Sequence, residues 1–194
     1  MHFNRFAAFL AGAWLLGSLF MAFVATQNFA TVDRVLAAPP PETVKMIQTL
    51  GPENARHLLR YLAGEENRGF FEAWELVEII LAVSLIALFF LGSKNRILAG
   101  LAGGLLVLTI FQHFRITPDL VAIGRSNEFL TGNTQGAVRS QFARLHAIYG
   151  IVELVKIALT LVIAGFLFAR RRRSSRQRVE VDAVNYANHG HVDR

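Results

Sequence analysis

The sequence predicts an all-α fold, an integral membrane four-helix bundle, N-in/C-in, with short interfacial helices in the outer loops. Three observations predict it. Of 194 residues 53% are hydrophobic and only 18% charged. The apolar residues are gathered into long runs rather than spread at helical spacing, the pattern of a membrane chain. Basic residues then recur on one side of those runs, at Arg5, in the link "GSKNR" and in "RRRRSSRQR", as cytoplasmic ends do.

About 20 apolar residues cross the hydrocarbon core. Four stretches reach that length, at about 6–27, 70–91, 97–116 and 147–169. With their outer loops, 28–69 and 117–146, they form one membrane domain over residues 1–169, leaving no room for a separate soluble one. The first run has a signal-peptide look, but it is long. The best cut, after Ala25, has Phe23 where cleavage wants a small residue, so the helix is expected to be retained.

In the first outer loop, "AAPPPETVKMIQTLG" follows its prolines with apolar spacing at Val44, Ile47 and Leu50. "GPENARHLLRYLAG" then offers Pro52 for a first turn and Gly64 for a C-cap. Leu58, Leu59 and Leu62 lie opposite Arg56 and Arg60. Two short helices on the outer surface are the expectation. The second run, "FFEAWELVEIILAVSLIALFF", carries Glu72, Glu75 and Glu78 at one end. The third contains "AGLAGG", whose Gly100 and Gly104 allow close helix contact, as Ala13 and Gly17 do in the first. The second outer loop reads as a short helix from Pro118, a flexible turn around 131–136 and an extension into the fourth run. The remainder, 170–194, lacks the apolar content for a core and is expected to be a disordered cytoplasmic tail. Its Arg170, Arg171, Arg172 and Arg173 lie directly after a span, where anionic lipid headgroups are the nearer partner than nucleic acid.

The chain has no cysteine, which excludes disulfides, thiolate metal sites, thiol nucleophiles and covalent c-type haem. No phosphate-cradling glycine loop or zinc-protease motif is present, and no serine has a catalytic context, so a non-enzymatic protein is expected.

The polar groups have a depth pattern. In the expected topology Glu72, Glu75 and Glu78, Gln112, His113 and Arg115, and Arg144, His146, Glu153 and Lys156 all fall in the outer half. The inner half, 6–17, 82–91, 97–107 and 159–169, holds no ionisable residue. At about 100° per residue His146, Tyr149, Glu153, Lys156 and Thr160 share one narrow arc of the fourth helix. Counting a rise of about 1.5 Å per residue puts Lys156 level with Glu78 and Glu153 level with Glu75. A charge at the membrane centre costs about 3 kcal/mol or more, so Lys156 is expected to pair with Glu78 or Glu153. Glu75, Glu78, Gln112, His113, His146, Tyr149, Glu153 and Lys156 thus make a candidate polar cup open to the outside. A structural clamp made by the same residues is the competing reading.

"AWLLGSLFMAFVATQNFATVDRVL", "RITPDLVAIGR" and "FARLHAIYGIVELVKIAL" resemble the domain-of-unknown-function 4149, or transmembrane-protein-205-like, family. The last stretch resembles its F-x-x-LH motif, here Phe142, Leu145 and His146, after the segment of Pro118. The chain departs from the family in "VELVK", where an Asn-Leu pair is typical, and in its long first loop. The resemblance implies four spans and no established reaction.

The function expected is therefore that of a bacterial inner-membrane protein whose cup binds a protein partner, a lipid headgroup or a small solute, alone or as a homo-oligomer. An ion or proton path through the carboxylates and Lys156 is one alternative, although no titratable group continues it through the inner half. A b-type haem between His113 and His146 is the other; no metal site is expected, since the Glu-x-x-His spacing of bundle di-iron sites is absent.

Overall fold

The computed structural model describes the backbone of residues 2–92, 94–129 and 135–189, and side chains up to 169 apart from those of 2, 127–129 and 135. Six helices follow one another: α1 His2–Ala37, α2 Pro41–Leu50, α3 Pro52–Ala87, α4 Arg96–Phe111, α5 Thr117–Phe129 and α6 Gln135–His189. Wide π turns extend two of them, Leu88–Gly92 after α3 and Gln112–Ile116 between α4 and α5. Among the described residues there is no strand.

Four helical stretches, Phe3–Ala37, Pro52–Gly92, Arg96–Ser126 and Gly136–Ala169, are long and apolar enough to cross a membrane. Their outward faces carry a belt of exposed large apolar side chains, among them Phe9, Phe20, Phe23, Ile80, Phe90, Val107, Leu154 and Phe168. A soluble surface does not expose apolar area on that scale, and hydrocarbon covers it without cost. The described residues thus form an all-helical fold whose four long apolar helices are compatible with a helical bundle.

The inward faces keep a 3–4 alternation. Glu75, Glu78, Ala82, Leu85 and Phe89 are buried along α3 and its π turn; Leu98, Ala102, Leu105 and Thr109 along α4; Lys156, Thr160, Ile163 and Leu167 along α6. A repeat averaging about 3.5 residues keeps one seam of each helix on its neighbours in a left-handed bundle. At the end that holds the α3–α4 link the seam is apolar: Ala7, Leu10, Trp14, Ala82, Leu85, Phe89, Leu98, Ala102, Leu105, Ile163 and Leu167 form one core. Lys94 closes that link in the left-handed region at φ 49°, and the Asn95 amide donates to the Phe89 carbonyl at 2.9 Å. Toward the other end, which carries α2 and α5, the same seam turns polar.

The long first loop is built differently from the expectation. α1 runs on to Ala37, and α3 begins at Pro52 and passes through Gly64 without stopping. Only α2 is a separate short helix there. Gly64 does not cap because its helix face is held on both sides of it: Ala55, Ala63 and Asn67 are buried. Asn67 donates to the Ala25 carbonyl at 3.2 Å and accepts from Asn28 at 2.7 Å. Arg60 reaches Asp33 at 3.3 Å and lies 5.4 Å from the centre of the Phe29 ring. Packing against α1 outweighs the weak helix propensity of one glycine. The second loop yields α5 as expected, and α6 includes the extension toward its span. The residues around 131–136 expected to form a turn lie partly outside the described ones.

Two further expectations are corrected. A Cβ at Gly17 would overlap the Trp74 ring, so α1 and α3 do approach closely there. At Gly100 and Gly104 nothing lies within 4 Å of the position a Cβ would take, so this pair makes no close contact inside the chain. The backbone of α6 continues as helix to His189, through the stretch for which composition predicts disorder. The side chains of Arg170 to Arg173, expected at lipid headgroups, lie outside the described residues.

Candidate functional site

One turn beyond the apolar core, the seam positions turn polar: α3 and α6 carry charge, and α4 with its π turn brings Thr109 and Gln112. Lys156 on α6 is fully buried and is ion-paired to Glu78 of α3, which is equally buried. Its ammonium also lies 2.8 Å from Glu153 Oε1. The Gln112 amide donates to Glu153 Oε1 at 2.7 Å and to Glu75 Oε1 at 3.3 Å, tying the two layers together. Thr117 donates to the same Glu75 oxygen at 2.6 Å, while His113 Nδ1 meets Glu75 Oε2 at 2.8 Å. The Tyr149 ring stacks edge-on against Phe71, with its hydroxyl buried beside Glu75 and Gln112. Thr160 and Thr109 flank the cluster, their hydroxyls returned to the carbonyls of Lys156 and Leu105.

The π turn Gln112–Ile116 positions half of these contacts. In a plain α-helix residues five apart point about 140° from each other. Widening the turn to i→i+5 bonding brings Thr117 round toward the side of Gln112, so that both reach Glu75 Oε1. His113, the next residue, takes the other oxygen. Three donors from one irregular turn therefore converge on a single buried carboxyl.

Seven of the eight residues expected in the cup gather here: Glu75, Glu78, Gln112, His113, Tyr149, Glu153 and Lys156. His146 does not. It is exposed and stacks on Phe142, four residues earlier on its own helix, with ring centres 5.8 Å apart. His113 is thus turned onto Glu75 and His146 onto Phe142. Thr160, already placed on the polar arc of the fourth helix, joins the site, and so do Thr109 and Thr117, neither of which was singled out from the sequence. Continuing the 3–4 spacing from Leu98 through Ala102 and Leu105 reaches Thr109 and Gln112, so that signal was in the sequence; Thr117 depends on the π turn.

The cup is closed. Glu75, Glu78, Gln112 and Lys156 have no exposed surface. Only the Glu153 and His113 side chains reach the surface, 18% and 21% exposed. Two features remain unbalanced. Lys156 supplies the one ammonium for both Glu78 and Glu153, while the third carboxyl, Glu75, is met by His113. Glu78 Oε1, Gln112 Oε1 and the Tyr149 hydroxyl are buried without a hydrogen-bond partner, as are Trp14 Nε1, Ser18 Oγ and Trp74 Nε1 on the facing helices. Buried polar atoms are nearly always satisfied, by protein or by ordered water, so these orphans call for a further hydrogen-bond partner. Among the described residues no trio of His, Asp or Glu is arranged to hold a metal ion.

Comparison with family models, with curated proteins and with solved structures gives no match. The likeness to the transmembrane-protein-205-like family rests on the motifs quoted above.

Proposed function

We propose that the chain is a non-enzymatic integral membrane protein of the bacterial inner membrane, with both termini cytoplasmic and the α2–α5 end outside. Its bundle interior binds a small cation able to donate hydrogen bonds, of the ammonium or primary-amine type, admitted from the outer side past His113 and Glu153. The observation that carries this reading is the unpartnered pair of acceptors, Glu78 Oε1 and Gln112 Oε1, in a buried cluster where one ammonium serves both Glu78 and Glu153. An acceptor-rich site short of positive charge selects a donor-bearing cation and rejects anions. Release toward the cytoplasm is opposed by the apolar core from Ala7 to Leu167, which offers no polar step. The protein is therefore a holder of its ligand and conducts nothing.

Thermal unfolding of the detergent-purified chain in rising ammonium, methylammonium, sodium and sulfate tests the binding. Ammonium and methylammonium should raise the midpoint at constant ionic strength, sodium should not, and Glu78→Gln should abolish the rise. Equal shifts with sodium, or shifts retained in Glu78→Gln, reject the site. Proteoliposomes under a pH gradient test the other half: a proton flux lost on Lys156→Met would establish a conducting path in place of a closed cup.

A further inference from the structure

A second concavity lies between α5 and α6, outside the buried cluster. It encloses about 550 Å³ and is lined by Asp119 and Ile123 of α5 and by Gln141, Arg144, Leu145 and Ile148 of α6. α5 is tied to α3 at two points. Thr117 pins one end of α5 to Glu75, and Arg125 grips Glu65 of α3 with two parallel bonds of 2.8 Å toward the other end. Gly124 lies where a Cβ would come within 3.2 Å of Phe142 on α6, which sets the helices close. Asp119 and Arg144 are both exposed, and among the described residues neither has an ion-pair partner. The groove thus offers one anion, one cation and an aliphatic floor.

We propose that this groove binds a phospholipid whose headgroup carries both a phosphate and a primary ammonium, an ethanolamine-type lipid. The inference rests on the membrane placement proposed above, which sets the groove at the start of the fourth span, at headgroup depth. Arg144 presents the planar fork that suits a phosphate, and Asp119 accepts hydrogen bonds from the ammonium. Ile123, Leu145 and Ile148 take the upper acyl chain. One charge of each sign matches a zwitterion; an anionic headgroup would leave Asp119 opposed, and a trimethylated one has no N–H to give it.

Native mass spectrometry of the full chain with ethanolamine, choline and glycerol phospholipids of identical acyl chains tests this. The ethanolamine lipid should be retained about tenfold more than the choline lipid, the discrimination that one charge-assisted hydrogen bond supplies. Asp119→Asn should erase that difference while leaving choline-lipid binding in place. Arg144→Gln should lower retention of all three. A preference for the glycerol lipid, an unchanged preference in Asp119→Asn, or conversion of a dimer to a monomer by Arg144→Gln would each overturn the proposal. Because Asp119 is exposed, its variant folds independently of what Arg144→Gln does. Resistance to carbonate extraction is measured alongside: loss of lipid preference with integration intact removes the groove alone, whereas extraction removes the membrane placement too. The ammonium-dependent shift on unfolding reports separately on the buried cluster.

Discussion

Lys156 is the residue on which the polar layer depends. Its ammonium serves Glu78 and Glu153 at once, and both Lys156 and Glu78 are fully buried. Removing one partner of a buried ion pair leaves an uncompensated charge and costs about 3–5 kcal/mol. Lys156→Met should therefore lower the thermal unfolding midpoint sharply, and Lys156→Met with Glu78→Gln should recover much of the loss. Failure of the double variant to recover would mean that Glu153 and the remaining orphans dominate. At this scale the sequence was informative where depth and helical angle suffice: the level of Lys156 with Glu78 follows from rise per residue alone. It was silent on which residue donates to which oxygen. Gln112 follows the 3–4 spacing onto the seam, but that it donates to both Glu75 and Glu153 depends on how α3 and α6 pack, which no periodicity announces.

Between helices, the contacts are made by small residues and by clasps at the α2–α5 end. Gly17 seats the Trp74 ring, and any side chain there displaces it. Gly17→Ala should destabilise by about 1–3 kcal/mol, the usual cost of overfilling a packed contact. Trp74 fluorescence should shift in the same variant; a change in stability without a spectral shift would place the strain elsewhere. α5 is clasped to α3 through Arg125 and Glu65, five residues before the apolar run that begins at Phe70. The fork of Arg125 is the largest influence on the Glu65 carboxyl, holding it down to about 2 from its ordinary 4.5. A carboxyl lowered on folding contributes fully above its unfolded value and loses that contribution as pH falls through the folded one. α5 should accordingly loosen between pH 4.5 and 2, seen as hydrogen exchange of its amides beyond the intrinsic pH effect. Arg125→Gln should show the same loosening already at pH 7. The four apolar runs were legible because hydrophobicity is local. The fusion of the second loop helix with its span was not, since it depends on Asn67 meeting Asn28 and Ala25 from 39 and 42 positions away.

Across the whole molecule, polarity is graded from end to end. The α3–α4 link sits beyond an apolar core, and α2 and α5 sit beyond a polar cluster. The native chain lacks cysteine, so single cysteines report orientation without a background. In right-side-out vesicles a membrane-impermeant maleimide should label Met46→Cys on α2 and spare Lys94→Cys in the link; the reverse pattern would invert the proposed orientation. α1 has 36 residues, which at a rise of about 1.5 Å is far more than hydrocarbon about 30 Å thick can cover. In the proposed placement the surplus of α1 and α3 stands clear of the bilayer as a paired stalk. The π turn at Gln112–Ile116 has a molecular consequence of the same reach. Such a bulge is an α-helix with one supernumerary residue, and everything downstream inherits its phase. Shortening the chain by one there, at the outward-facing Phe114, would turn α5 through about 100°, carrying Thr117 off Glu75 and Asp119 away from Arg144 together. The interior cluster and the surface groove are geared to each other by a single peptide unit.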